Sequence, residues 1–214
     1  GVHGNEDNRG RYRANEGLLF LGYGITEDMA VEFEIAGISA RFEKSPHDPS
    51  AVPPLIEESG LGDVEGQIRW RFRRETARRP ELFSYAEVVV PHDGEKPLIG
   101  TEDWEIKAGI GVTRGYSWGT LTARAAVEYA AASTSPFDLG EYAIEYLKRL
   151  SPSWRIYLGI EGNVDELSLI TEAQWHVSDR VFVRLNNGVG LTSKATDWSP
   201  EVGVVFSFPS ARTP

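Results

Sequence analysis

Four histidines, His3, His47, His92 and His176, are the side chains of this chain best suited to metal ligation or proton transfer, and all four are isolated in sequence. A zinc site needs ligands paired at short spacing, and a hydrolytic centre needs a strained nucleophile turn beside a base. Neither pattern occurs, there is no glycine-rich phosphate loop, and cysteine is absent. The sequence therefore points to no catalytic residue, no metal site and no cofactor, and a non-enzymatic protein is expected. The chemistry that is written into the chain is electrostatic. Arg69, Arg71 and Arg73 recur at every second position, and the same alternation carries Glu32, Glu34, Glu65, Glu87, Glu128, Glu145 and Glu172, with Lys107, Arg124, Arg155 and Arg184 supplying further cations.

Alternation of this kind needs extended chain. In a strand, successive side chains point to opposite faces, so Val64, Ile68, Trp70 and Phe72 share one face while Glu65, Gln67 and the three arginines share the other. A helix would scatter both sets around its circumference. The pattern repeats along the chain. Strands are expected over residues 13–24, 29–42, 60–73 and 82–90. Two more run from Trp104 to Val112 and from Leu121 to Tyr129, and a hairpin turns around Ser151-Pro152-Ser153. The last three cover 167–176, 181–187 and the stretch from Val202 to Phe208. Residues 1–10, 44–59, 91–102, 133–137 and 191–199 read as loops. No segment reads as a helix.

Composition fits one all-β domain spanning residues 1–214, with 41% apolar and 25% charged residues and 22 glycines. A net charge of −10 argues against a nucleic-acid partner. No apolar run is long enough for a membrane helix, but a β-barrel crosses a bilayer without one.

An apolar face backed by a charged face has two explanations. In a soluble barrel the apolar side is the core; in a membrane barrel it meets lipid and the charged side turns inward. Two features favour the bilayer. Aromatics gather beside the short turns (Tyr23, Trp70, Phe72, Tyr116, Trp118, Tyr146, Trp154, Trp175 and Phe208), as an interfacial belt requires. The apolar faces also run nearly free of charge over about 9 to 11 residues, the length a tilted spanning strand needs. Short turns alternate with long loops rich in Pro and Asp, the asymmetry of outer-membrane barrels. The expected fold is an antiparallel up-and-down transmembrane β-barrel of about twelve strands, of which about eleven are visible. The charged residues named above become lumen-lining. His176 shares its face with Gln174 and Glu172, so it points inward, away from the lipid side where outer-membrane phospholipases hold Ser and His.

Gly60-Leu61-Gly62-Asp63 leading a charged strand, Val88-Val89-Val90-Pro91 with Gly94 following, and Gly100-Thr101-Glu102-Asp103-Trp104 together resemble the outer-membrane barrels of the phenol meta-degradation pathway transporter type. That family has Pro-Thr-Gly where this chain has Pro91-His92-Asp93-Gly94. The resemblance implies a Gram-negative outer-membrane location and a passive channel for small solutes, aromatic or hydrophobic ones if the family name applies. The bilayer is then the first partner, and the long loops offer a surface to an envelope protein. Two alternatives stay open: a structural or partner-binding barrel whose lumen is plugged by side chains, and a soluble ligand-binding barrel.

Three finer expectations follow from pairing and parity. Arg71 opposite Tyr85 would place Arg69 opposite Glu87, and Glu145 opposite Arg155 would place Tyr146 opposite Trp154. A bacterial barrel needs an even strand number, so a strand preceding Gly1 is expected, with a short irregular strand within residues 1–9 as the alternative.

Overall fold

The computed structural model describes residues 1–6, 9–92, 94–101, 103–130 and 137–208. Among these residues twelve antiparallel strands close into one barrel, each hydrogen bonded to its sequence neighbours and the first to the last. They are β1 (Val2–Glu6), β2 (Gly10–Gly24), β3 (Met29–Lys44), β4 (Leu55–Arg73), β5 (Glu81–Val90) and β6 (Glu105–Tyr116). The second half holds β7 (Gly119–Ala130), β8 (Phe137–Arg149), β9 (Trp154–Gly162), β10 (Leu167–Ser178), β11 (Val181–Gly190) and β12 (Trp198–Phe206).

The even strand number is completed at β1. Val2–Glu6 forms a short strand, the alternative reading of residues 1–9, where a loop over residues 1–10 was expected, and it brings the described strands to twelve. It is short: Val2 pairs with Asn15, and Gly4 alone bridges to Trp198 of β12. Gly1 completes the ladder, exchanging backbone hydrogen bonds with Glu16 at 2.6 and 2.9 Å. The remainder of β2, from Gly17 to Gly24, pairs only with β3, so this seam is hydrogen bonded over half its height. The expected loop over 133–137 lies mostly outside the described residues, and Phe137 opens β8.

Period-two alternation decides the two faces. On β5, Phe83, Tyr85, Glu87 and Val89 are all buried, Phe83 to 2% exposure. The opposite face of the wall is a continuous apolar surface, with Ile110 67%, Ile144 64% and Val202 70% exposed. In a closed barrel the buried face is the interior. Ile68, Trp70 and Phe72 lie outward, whereas Arg69 sits 3.8 Å over the ring of buried Phe83. At one rim the outward aromatics touch in pairs: Trp70 with Phe72 at 5.8 Å, Tyr116 stacked on Trp118 at 4.8 Å, Trp118 with Tyr146 at 5.5 Å, and Trp154 stacked on Trp175 at 6.2 Å. This is the rim of the short turns at 25–28, 117–118, 150–153 and 179–180.

Two registers differ from expectation by an even number of residues, which leaves Gln67, Arg69, Glu87, Glu145 and Tyr146 on their expected faces, whereas Arg73 lies beyond a one-residue bulge and pairs with Leu82. Arg69 pairs with Tyr85, and Glu87 with Gln67, and a bulge between Arg71 and Arg73 shifts the pairing by one residue at the turn end of β4. The β8–β9 hairpin pairs Glu145 with Gly159 and Tyr146 with Leu158. Its turn centres on Pro152, closed by the Leu150 and Ser151 amides donating to the Trp154 carbonyl at 2.9 and 3.2 Å. Alternation could not distinguish these registers.

Two glycines make room for the interior aromatics. A Cβ on Gly109 would lie 2.3 Å from the Tyr85 ring, and one on Gly111 would lie 2.1 Å from Phe83. The rings lie across the neighbouring strand β6 because it presents no side chains there.

Candidate functional site: the barrel interior

The interior charges fall into three groups. The first is a row across five strands, in which Glu32, Gln67, Glu87, Lys107 and Glu128 are successive cross-strand partners. Lys107 donates to Glu87 at 3.0 Å, and Gln67 donates to the other Glu87 oxygen at 3.1 Å. Glu34, Glu65 and Glu105 lie in the adjoining row, Glu34 opposite Glu65, with Val89 between Glu65 and Glu105. One cation thus stands among several carboxylates.

The second group centres on Arg124. Its Nε lies 3.0 Å from Glu145, and its terminal nitrogen meets Glu141 and, at 3.6 Å, Glu161 of β9. Reaching from β7 past β8 to β9 is possible only across the concave side of the wall. On β11, Arg184 pairs with Glu201 of β12, whose second oxygen accepts from Asn186 at 3.4 Å. Gln174 donates to Glu172 at 2.6 Å, and Arg155 is the register partner of Gln174.

The third group lies at the short-turn rim. Arg71 holds Asp28 at 2.9 Å and Glu81 at 3.4 Å, and it donates to the Glu27 carbonyl at 2.6 Å. Arg69 reaches the same Glu81 at 3.8 Å. Arg73 donates to the Pro80 carbonyl at 3.2 Å. Arg74 bridges Glu27 and Asp28 at 2.7 Å each. The basic ladder therefore ties the first turn to the start of β5, rather than pairing with Glu87. Arg74 first, and then Arg71, hold the Asp28 carboxyl down to about 2 against its usual 3.8. A depressed carboxyl contributes stability above its unfolded value and loses it as pH falls through the folded one. Asp28→Asn is therefore expected to lower the unfolding midpoint at pH 5, with the gap to the native protein closing between about pH 4 and pH 2. A gap that stays constant over that window would show that the Asp28 carboxylate is not what Arg71 and Arg74 stabilise.

Residues 94–101, between β5 and β6, fold into the mouth of the barrel. Ile99 is buried against Ala14 and Ala40, with Tyr12, Ile38 and Leu98 around it. Three acceptors on β4 and one on the loop itself hold it. Asp63 accepts the Thr101 amide at 2.7 Å and the His92 amide at 3.2 Å, and Glu58 accepts the Leu98 amide at 2.8 Å. The Ser59 carbonyl accepts from Lys96 at 3.2 Å, and the Leu98 carbonyl accepts from Tyr12 at 3.3 Å.

Sequence reasoning left Asp28, Glu58, Asp63, Glu81, Glu141, Glu161 and Glu201 out of the candidate interior. Parity could have found Glu161, which is six residues from Arg155, and Glu201. Parity could also have found Glu141, four residues from Glu145, although counting from Asp138 across the β7–β8 bulge assigns it to the other face. Among the described residues no group of three His, Asp or Glu side chains has metal-holding geometry. His47 lies in the 45–54 loop, His92 on the plug loop, and His176 stacks on Phe182 at 5.0 Å.

No family model matches the chain, and no curated protein does. Among solved structures, an outer membrane channel from Pseudomonas putida F1 matches with a TM-score of 0.63 and 14% sequence identity, covering 95% of this chain and 88% of that one. At that identity the likeness is one of fold, and the fold it shares is that of an outer membrane channel.

Proposed function

We propose that this protein is a passive outer-membrane channel for small solutes, narrowed by the loop residues 94–101. The observation that carries the reading is a closed barrel whose outer wall is apolar and aromatic-rimmed while its interior is charged and partly filled by that loop. A soluble protein rarely leaves an apolar surface of this extent uncovered. The lumen-lining residues are those of the first two interior groups, with Arg69, Arg71, Arg155 and Glu172 toward the short-turn rim. Tyr12 stands half-buried beside them on the interior face, an aromatic edge suited to solutes with an apolar or aromatic body, as transporters of the phenol meta-degradation type would require. No step of bond chemistry is needed, and location in the outer membrane of a Gram-negative cell follows from the same reading.

The packing of Ile99 favours a second reading, a barrel whose lumen is closed and which serves as a structural or partner-binding element. Planar-bilayer recording separates the two. The channel reading expects discrete openings, and it expects Ile99→Asp, which expels the loop from its apolar seat, to raise single-channel conductance at least about twofold, since burying an unpaired carboxylate there is strongly unfavourable. No openings from either protein over a wide voltage range would sink the channel and leave the closed barrel.

A further inference from the structure

Three acids share one cation on the inward face of β7, β8 and β9. Arg124, Ala143 and Glu161 are successive cross-strand partners, and Glu141 and Glu145 flank Ala143 on β8. Ala143 is small and buried, and the guanidinium crosses it to reach Glu161. That crossing is the loosest of its three contacts, 3.6 Å against 3.0 Å to Glu145 and a closer approach to Glu141. Arg124, Glu141 and Glu145 are the charged neighbours of Glu161. Glu161 is also the most open of the acids, its side chain 37% exposed against 27% for Glu141 and 23% for Glu145.

An independent feature lies on β5. Tyr85 is 5% exposed, and no group of the described residues hydrogen bonds its hydroxyl. That hydroxyl lies over Gly109 of β6, where a Cβ would come within 2.6 Å of it, and Tyr85 packs on Ala126 of β7. Ala126 shares its face with Arg124, two residues away. The hydroxyl is therefore aimed into the acid cluster, with Glu141 and Arg124 foremost among its charged neighbours. A buried hydroxyl without a partner is unfavourable.

One added cation resolves both features. We propose that this interior site binds the ammonium group of a small primary amine between Glu141 and Glu161. An ammonium is a compact charge with three donors, suited to acceptors that one guanidinium serves incompletely. The bound cation takes over Glu161 and shares Glu141. Arg124 then keeps Glu145 and turns a freed N–H to the Tyr85 hydroxyl. Among the described residues no three acids have metal-holding geometry, which favours this larger ion over a bare divalent one. Passage of such amines through the barrel rests on the channel reading, whereas the site rests on the interior geometry.

The test uses the whole folded chain in detergent, titrated with ethylammonium chloride against potassium chloride at equal ionic strength. A ligand that binds only the folded state raises the unfolding midpoint with its concentration. The readout is the urea midpoint of the gel mobility shift, each variant compared with itself without ligand. The native protein is expected to be stabilised by ethylammonium and not by potassium. Glu161→Gln should raise the half-saturating concentration about tenfold, the scale of one lost charge-assisted contact. Tyr85→Phe, which removes no charge, should raise it about fivefold and should also raise the ligand-free midpoint, because the unpartnered hydroxyl is gone. A tyrosine with a merely structural role would instead lower that midpoint and leave the ligand response alone. Equal stabilisation by potassium would overturn the preference for an amine. An unchanged response in folded Glu161→Gln, or no response in the native protein, would overturn the site. Bilayer currents carried by ethylammonium test the channel separately: binding without current supports the site and removes the channel reading.

Discussion

Replacing Arg124 with methionine is expected to lower the stability of the folded barrel by about 3 kcal/mol. Arg124 is the shared counter-ion of Glu141, Glu145 and Glu161, which come from two different strands. Removing it leaves three carboxylates facing one another inside the wall, and removing one partner of a buried ion pair costs more than the pair itself is worth. The figure is at the low end of the range because 23% of the Arg124 side chain and 23–37% of its partners' remain exposed, so water screens part of the repulsion. The readout is the urea midpoint of the folded-to-unfolded gel mobility shift in detergent. Adding Glu141→Gln and Glu145→Gln to the methionine variant should recover most of the loss, which a simple packing defect would not. A midpoint unchanged by Arg124→Met would show that the three acids are satisfied without it.

The second large effect discriminates bilayer from water. Ile110 lies near the middle of β6 on the outward face and is 67% exposed. Arginine there is expected to destabilise the barrel by about 2 to 4 kcal/mol in liposomes, the cost of a cation at the bilayer midplane. Val177, also outward but close to the short-turn rim, should accept arginine at about 0 to 1 kcal/mol, because the penalty falls toward the interface. A soluble barrel would treat both as exposed surface positions and show neither cost. Equal, small effects at the two positions would therefore remove the membrane from the account of this protein.

The extended character of the long segments and their division into a charged and an apolar face were determined by the sequence alone. Each follows from alternation along one segment, as at Ile68, Arg69, Trp70 and Arg71, where the period of two leaves no other arrangement. The aromatic rim was legible for the same reason, because Tyr116, Trp118, Trp154 and Trp175 flank turns that glycine, proline and serine announce.

What only the tertiary structure decided involves contacts between segments. Registers that differ by two or four residues put the same side chains on the same faces, so the partner of Arg69 depended on the pairing of β4 with β5, and that of Glu145 on a turn centred on Pro152. Closure depended on the pairing of Val2–Glu6 with β2, which five residues of mixed polarity do not signal. The burial of Ile99 inside the mouth depended on Ala14 and Ala40, small residues on two other strands that leave space for it. The convergence of Glu141, Glu145 and Glu161 on Arg124 depended on the curvature of the wall, which brings alternate strands within reach of one guanidinium and has no counterpart in a linear pattern.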